Sequence, residues 1–268
     1  MTRDIHVDGR YGVQQPSRLP AADPFVAWKV HLRARISEKR PVNTGALIGV
    51  SYRRLSTTGN TNMLKIWGRR NSSNVRKVLW CAEEIGLPYE SIEVGGPFGG
   101  TQSPEYVGMN PNGLVPVIED HGLPLWESNT IVRYLSARYA LGTLYPEDAM
   151  ARAQAEKWMD WSTSRMAPLY TDLIWGIMRT APADRDEARI NAAITRAGEL
   201  LGMADATLAQ QPWLSGEQFA MGDIPLGALV YAWFELPIQR PSLPHLEAWY
   251  QRLQQRPAYV KAVMTPLT

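Results

Sequence analysis

The sequence predicts a small mixed α/β domain followed by an all-α bundle. From Met63, strand-like alternation and helical periodicity follow one another as β-α-β, then a loop or short helix, then β-β-α, within about 80 residues. After residues 141–146, a linker by composition, no strand signal remains. Residues 224–236 are then apolar all round, the pattern of a helix buried at the centre of a bundle.

The elements follow in order. Leu64 and Ile66 alternate with Lys65 and Trp67 in a short strand closed by Gly68. Val75, Val78, Leu79, Ala82 and Ile85 recur at helical spacing, and Gly86 stands where a glycine ends a helix. Residues 88–94 read as a second strand and residues 95–100 as a Gly-rich loop. Residues 114–119 read as a third strand, 123–126 as a fourth after a turn at His121-Gly122, and 127–139 as a helix. Residues 148–178 form a long helical stretch rich in Trp and Met. Ile190, Ile194, Ala197, Leu201, Ala204 and Leu208 mark a helix with an inward stripe, and Leu243, Leu246, Trp249 and Leu253 mark the next. The expected divisions are an extension over 1–62, a mixed domain over 63–141 and a helical domain over 148–268.

Composition excludes several classes. The chain has 268 residues, 45% of them hydrophobic and 20% charged, a globular balance. One cysteine leaves no disulfide framework, cysteine-based zinc cluster or CxxC redox pair. The four histidines show no HExxH or similar spacing, so no metal is expected. The most apolar window, 224–238, contains Pro225, Glu235 and Pro237 and is shorter than the roughly 18–20 residues needed to cross a bilayer. The loop over 95–100 lacks the Gly-Lys-Ser/Thr ending of a phosphate cradle and reads as a connector.

Net charge is +2, but residues 1–62 carry ten Lys/Arg against four Asp/Glu, while the remainder carries eighteen against twenty-two. The extension is broken by Pro16, Pro20, Pro24 and Pro41 and ends in a Ser/Thr/Asn/Gly run over 56–62. It reads as a disordered extension ahead of a functional product beginning at Met63. An alternative is an Arg-rich organellar presequence with a basic helix over 25–36, which Asp4 and Asp8 oppose. Its basic residues are scattered, so nucleic-acid binding is not expected.

Several motifs from Met63 onward resemble those of the cytosolic glutathione S-transferases, bacterial theta- and nu-like members above all. Asn110-Pro-Asn-Gly-Leu-Val-Pro-Val117 resembles the segment with the family's cis-proline. Glu127-Ser128-Asn129 resembles its Glu/Gln-Ser step, and Pro212-Trp-Leu-Ser-Gly216 with Asp223-Ile-Pro225 resembles the approach to its central helix. The resemblance covers about 205 residues. It implies a thioredoxin-like N-terminal domain, an all-α C-terminal bundle, glutathione as cosubstrate, a homodimer and a cytoplasmic location.

The resemblance also implies roles. Val115 and Pro116 would present backbone partners to the cysteinyl residue of glutathione. Ser128 and its N–H would take the γ-glutamyl carboxylate, while Glu127 meets the amine; simple helix capping by Ser128 is the plainer alternative. A free thiol has a pKa near 8.5, and lowering it by one to two pH units takes about 1.4–2.7 kcal/mol of thiolate stabilisation. The turn Asn71-Ser-Ser-Asn74 combines hydroxyls with the N–H groups of a helix start. Tyrosine, common near this point in the family, is absent from 63–87. Ser72 matches the catalytic serine of theta-like enzymes and Asn74 the asparagine of nu-like ones; which of Ser72, Ser73 and Asn74 meets the sulfur stays open. Cys81, two turns inside the helix, reads as a buried structural cysteine.

Two positions depart from the family pattern. Leu114 stands where many relatives carry a Lys or Arg toward the glycyl carboxylate, and Ala220 where the central helix has a Ser/Thr cap. In the long helix, Trp161 and Arg165 are candidates for the electrophile site, against plainer readings as core and as a solvated or interface arginine. The activity implied is conjugation of the glutathione thiolate to a small hydrophobic electrophile. Glutathione-dependent disulfide or peroxide reduction, and a non-catalytic binding module, are the alternatives.

Overall fold

The computed structural model describes residues 63–267; the expectations for residues 1–62 lie outside the described residues. The strands β1 (Leu64–Trp67), β2 (Tyr89–Ile92), β3 (Val117–Asp120) and β4 (Leu123–Trp126) form one mixed sheet in the order β2-β1-β3-β4. β1 runs parallel to β2 and antiparallel to β3, and β3 pairs antiparallel with β4. The third strand starts at Val117, later than the sequence suggests. Pro116 has no N–H to give the ladder, and the Leu114 carbonyl accepts from the Tyr106 hydroxyl at 2.8 Å and Asn110 Nδ2 at 2.7 Å.

Strand alternation puts the two faces of the sheet to different uses. Leu64, Ile66 and Ile118 enter the main core with α1 (Ser73–Ile85) and α3 (Ser128–Tyr139). Val117 joins Val94 and Tyr106 of α2 (Pro104–Met109) in a smaller cluster. Gly86, at φ 68°, ends α1 in the left-handed conformation, its N–H reaching Glu83 O and the Leu87 N–H reaching Ala82 O.

The stretch predicted as one helix is a continuous helical run with two π-helical turns. It comprises α4 (Ala149–Trp161), a π turn at Ser162–Met166, α5 (Ala167–Leu173) and a second π turn at Ile174–Arg179. Pro168 lacks an N–H, and its ring crowds the carbonyl four residues back, so the ladder widens just ahead of it. The helices α6 (Glu187–Leu208), α7 (Asp223–Glu235), α8 (Pro244–Gln254) and α9 (Pro257–Ala262) follow. The six residues of α9 are too few for the sequence periodicity to reveal.

Residues 223–233 of α7 are all buried, as their apolar composition requires. Trp80 of α1 meets Tyr259 edge-on at 4.7 Å between centroids, and the Tyr259 hydroxyl donates to Gly227 O at 2.9 Å. Glu84 accepts two hydrogen bonds from Arg256, each 2.7 Å. These contacts fix α1 on the helical part, so that its N-terminus, where the chemistry is expected, faces α5.

Candidate functional site

The turn from β1 into α1 holds the predicted thiol-binding residues. Ser72 is the N-cap residue in extended backbone, yet its side chain makes no capping hydrogen bond. Its hydroxyl is therefore not consumed by the helix start. The Ser73 side chain hydrogen-bonds Tyr170 of α5, whose phenol burial pushes above its ordinary pKa. Asn74 Oδ1 accepts from Lys77 Nζ at 2.9 Å and from the Ser128 hydroxyl at 3.3 Å. Asn74 thereby ties the start of α1 to the start of α3.

Two cavities meet at this turn. The smaller, about 60 Å³, is lined by Asn110, Asn112, Leu114, Val115, Pro116, Glu127 and Ser128. The Val115–Pro116 peptide is cis. Glu127 precedes α3 at φ 72°, a conformation that side-chain-bearing residues seldom adopt, and Ser128 is the first helical residue, so Ser128 is not the cap. Leu114 is 66% exposed and brings no cation to this cavity.

The larger cavity, about 170 Å³, is lined by Ser72 and Ser73 on one side and by Tyr170, Ile174, Trp175 and Arg179 on the other. Asn74 lines both cavities. Arg69 donates to Asn71 Oδ1 at 2.9 Å and lies across Gly96, where a Cβ would come within 2.8 Å of its Nε. The Gly-rich loop is thus a bed for Arg69. Arg76, fully buried, donates through Nη2 to Thr265 O, Thr265 Oγ1 and Pro266 O. It holds the C-terminal segment so that Leu267 closes one edge of the larger cavity.

Trp161 and Arg165, the candidates for the electrophile site, lie apart from the larger cavity. Trp161 stacks edge-on against Trp158 at 5.2 Å, Arg165 is exposed, and neither lines the larger cavity. Trp161 ends α4 and Arg165 lies in the first π turn, while the cavity-lining Tyr170, Ile174 and Trp175 follow that turn, which shifts their angular phase. Cys81 is buried against Ser136 Oγ at 3.6 Å, and burial pushes its thiol up to about 12, which removes it as a nucleophile.

Lys77 is a functional candidate that the sequence reading passed over. It is 1% exposed, and burial pushes its ammonium down to about 8, opposed by the field of Glu127. A signal existed: Lys77 lies one turn after Asn74 and one turn before the buried Cys81, on a single stripe of α1.

Among the described residues, no cluster of three or more His, Cys, Asp or Glu side chains could hold a metal ion, and no helix is long and apolar enough to cross a membrane. A thioredoxin-like sheet domain joined to a helical domain, with a cis-proline cavity beside a helix N-terminus, defines a class of thiol-handling proteins. The glutathione S-transferase N-terminal domain model matches residues 62–137, and the C-terminal domain model matches residues 166–257. Glutathione S-transferase GstB of Escherichia coli K12 is 43% identical over 208 residues, spanning 77% of this chain and 100% of that one. The glutathione-bound crystal structure of the theta class glutathione S-transferase from Xanthomonas axonopodis pv. citri superposes with a TM-score of 0.75 at 62% identity, covering 78% of this chain and 100% of the other. Glutathione S-transferase F14 of Arabidopsis thaliana is 31% identical over 209 residues, covering 74% of this chain and 80% of its own length. The chain belongs to the glutathione S-transferase family.

Proposed function

We propose that this protein conjugates glutathione to small hydrophobic electrophiles, using Ser72 and Asn74 to hold the thiolate. The observation that carries the reading is that Asn74 lines both cavities. One cavity offers Val115, Pro116, Glu127 and Ser128 to a tripeptide; the other offers a hydroxyl and a partly apolar wall. The glutathione bound in the Xanthomonas relative supports glutathione as the tripeptide. The γ-glutamyl carboxylate goes to the start of α3, where Ser128 and unpaired N–H groups favour an anion, and Glu127 faces the amine.

In this reading Ser72 Oγ donates to the sulfur, and the N–H groups at the start of α1 add their dipole. Binding releases the thiol proton to water. The thiolate then bonds to the electrophilic carbon, and the halide leaves or the epoxide C–O bond opens. Tyr170, Ile174 and Trp175, not Trp161 and Arg165, form the electrophile wall.

Activity with a chloronitrobenzene against activity with 2-hydroxyethyl disulfide tests this. Conjugation exceeding disulfide reduction is the expected result; the reverse ratio transfers the assignment to glutathione-dependent reduction, and failure to bind glutathione-agarose leaves a non-catalytic module. Because Cys81 is buried with a raised pKa, either chemistry runs on the sulfur of glutathione alone.

The family pattern places a cation at the Leu114 position, and Leu114 is exposed beside the smaller cavity. Leu114→Lys should tighten glutathione binding up to about fivefold, since an exposed ion pair contributes about 0.2–1 kcal/mol. Calorimetry showing unchanged or weaker binding would refute a glycyl carboxylate at this edge.

The division into a glutathione-binding domain over 63–141 and an electrophile-site domain over 148–268, a homodimer and a cytoplasmic location complete the reading. Kinship supports them, and Phe98, 56% exposed in the Gly-rich loop, is apolar surface that an interface would cover. A monomeric sedimentation profile would overturn the dimer, and recovery in the membrane fraction would overturn the location.

A further inference from the structure

Lys77 is a buried cation, and one hydrogen bond links it to the proposed sulfur site. Its Nζ donates to Asn74 Oδ1 at 2.9 Å, and that oxygen also accepts from the Ser128 hydroxyl. An ammonium has no acceptor capacity, so the atom of Asn74 facing it must be the amide oxygen. The amide is planar, and Nδ2 therefore points away from Lys77 and Ser128. Asn74 is exposed and lines both cavities, and its Nδ2 has no hydrogen-bond partner within the described residues. Glu127, ahead of α3, is the charged group whose field reaches Lys77.

We propose that Lys77 is a positioning residue for thiolate formation: its buried charge fixes the Asn74 amide with Nδ2–H toward the sulfur and polarises that N–H. This rests on the reading above that the sulfur lies between Ser72 and Asn74. A non-catalytic lysine would gain more from solvation than from one amide oxygen, because burying an ammonium is costly. The ammonium remains charged at neutral pH, since its pKa stays near 8. Through the amide, the charge sits roughly 7 Å from the sulfur. With an effective dielectric near 20, that field lowers a thiol pKa by about one pH unit or more.

The test uses the full chain with glutathione as the probe. The pKa of the bound thiol is read from the ultraviolet absorbance of the thiolate against pH, and Kd from calorimetry. Lys77→Met should raise that pKa by about one pH unit and lower kcat/KM at neutral pH roughly tenfold. Adding Lys77→Met to Asn74→Ala should raise the thiol pKa by less than Lys77→Met does alone, because only the direct field of the ammonium remains once the amide is gone, and an equal rise in both backgrounds would refute a role through Asn74. Lys77→Gln, which keeps a donor to Asn74 without the charge, should retain the Kd while its thiol pKa matches that of the Met variant; it also carries the test should Lys77→Met not fold. If Asn74→Ala moves the thiol pKa and neither Lys77 variant does, Lys77 is structural and the proposal fails. If none of the three moves it, the placement of the sulfur fails as well.

Discussion

Replacing Ser72 by alanine should lower turnover at least tenfold and move the rising limb of the pH–rate profile to higher pH. The Ser72 hydroxyl makes no capping bond and lines the larger cavity, so it is available to a ligand. A hydrogen bond to a charged acceptor contributes about 1.5–3 kcal/mol, which corresponds to one or two pH units in a thiol pKa. Removing the donor destabilises the thiolate and leaves the neutral thiol little affected, so the pKa rises. Below that pKa less of the bound glutathione is ionised, and the rate at neutral pH falls. At high pH, where the thiol ionises unaided, the variant should recover part of the loss. Helix stability should change little, since no cap is lost. The measurement is kcat/KM against pH for both proteins; superimposable profiles would remove Ser72 from the mechanism.

The sheet and its helices were legible because local rules and tertiary demands agree there. Leu64 and Ile66 alternate as a half-buried strand must, and Gly86 occupies the left-handed position that a glycine fills without strain. The all-round apolar stretch over 224–236 was legible because a helix with no polar face has only the centre of a bundle to occupy. The cavity-lining turn over 71–74 was legible as the start of α1, while the separate partners of its side chains were not. Ser73 is engaged by Tyr170, almost a hundred residues away, and Asn74 by Ser128. Such pairings arise only when α1, α3 and α5 converge.

That Tyr170, Ile174 and Trp175 line the larger cavity was not legible for a different reason. Helical spacing does not separate a cavity wall from a core face, and the π turn at Ser162–Met166 further shifts the phase of Tyr170, Ile174 and Trp175 from that of an unbroken helix. Pro168 was the visible warning, since an interior proline forces the ladder to adjust. Lys77 was missed because lysine in a surface helix is expected to be solvated. Its neighbours Val75, Val78 and Cys81, all fully buried and on different sides of the helix, indicate that α1 is covered all round at this level.

The second large effect concerns stability. Asp223 is fully buried at the start of α7, and its carboxylate gathers donors from three segments. Oδ1 accepts from the Leu214 N–H at 2.8 Å and Trp249 Nε1 at 3.0 Å, while Oδ2 accepts from the Ser215 and Ala220 N–H groups at 3.3 Å. Asp223 is the first residue of α7, with Gly222 rather than Ala220 at the N-cap, and the bond from the Ala220 N–H ties the preceding turn to the helix start. Burial raises the Asp223 pKa, and hydrogen bonding from the Ser215 side chain, the Leu214 and Ala220 N–H groups and the Trp249 ring opposes that rise. Asp223→Ala would strand these donors in a site without water, at about 1–3 kcal/mol for each group that finds no new partner. A loss of about 2–6 kcal/mol follows if two of them remain unpaired. Asp223→Asn, which keeps the shape and one acceptor oxygen, should lose distinctly less, because that oxygen still accepts from some of the four donors while the amide nitrogen accepts from none. Denaturant unfolding of the three proteins should rank them wild type, Asn, Ala. An alanine variant as stable as the wild type would show that α7 is held by its apolar contacts alone, with the carboxylate dispensable.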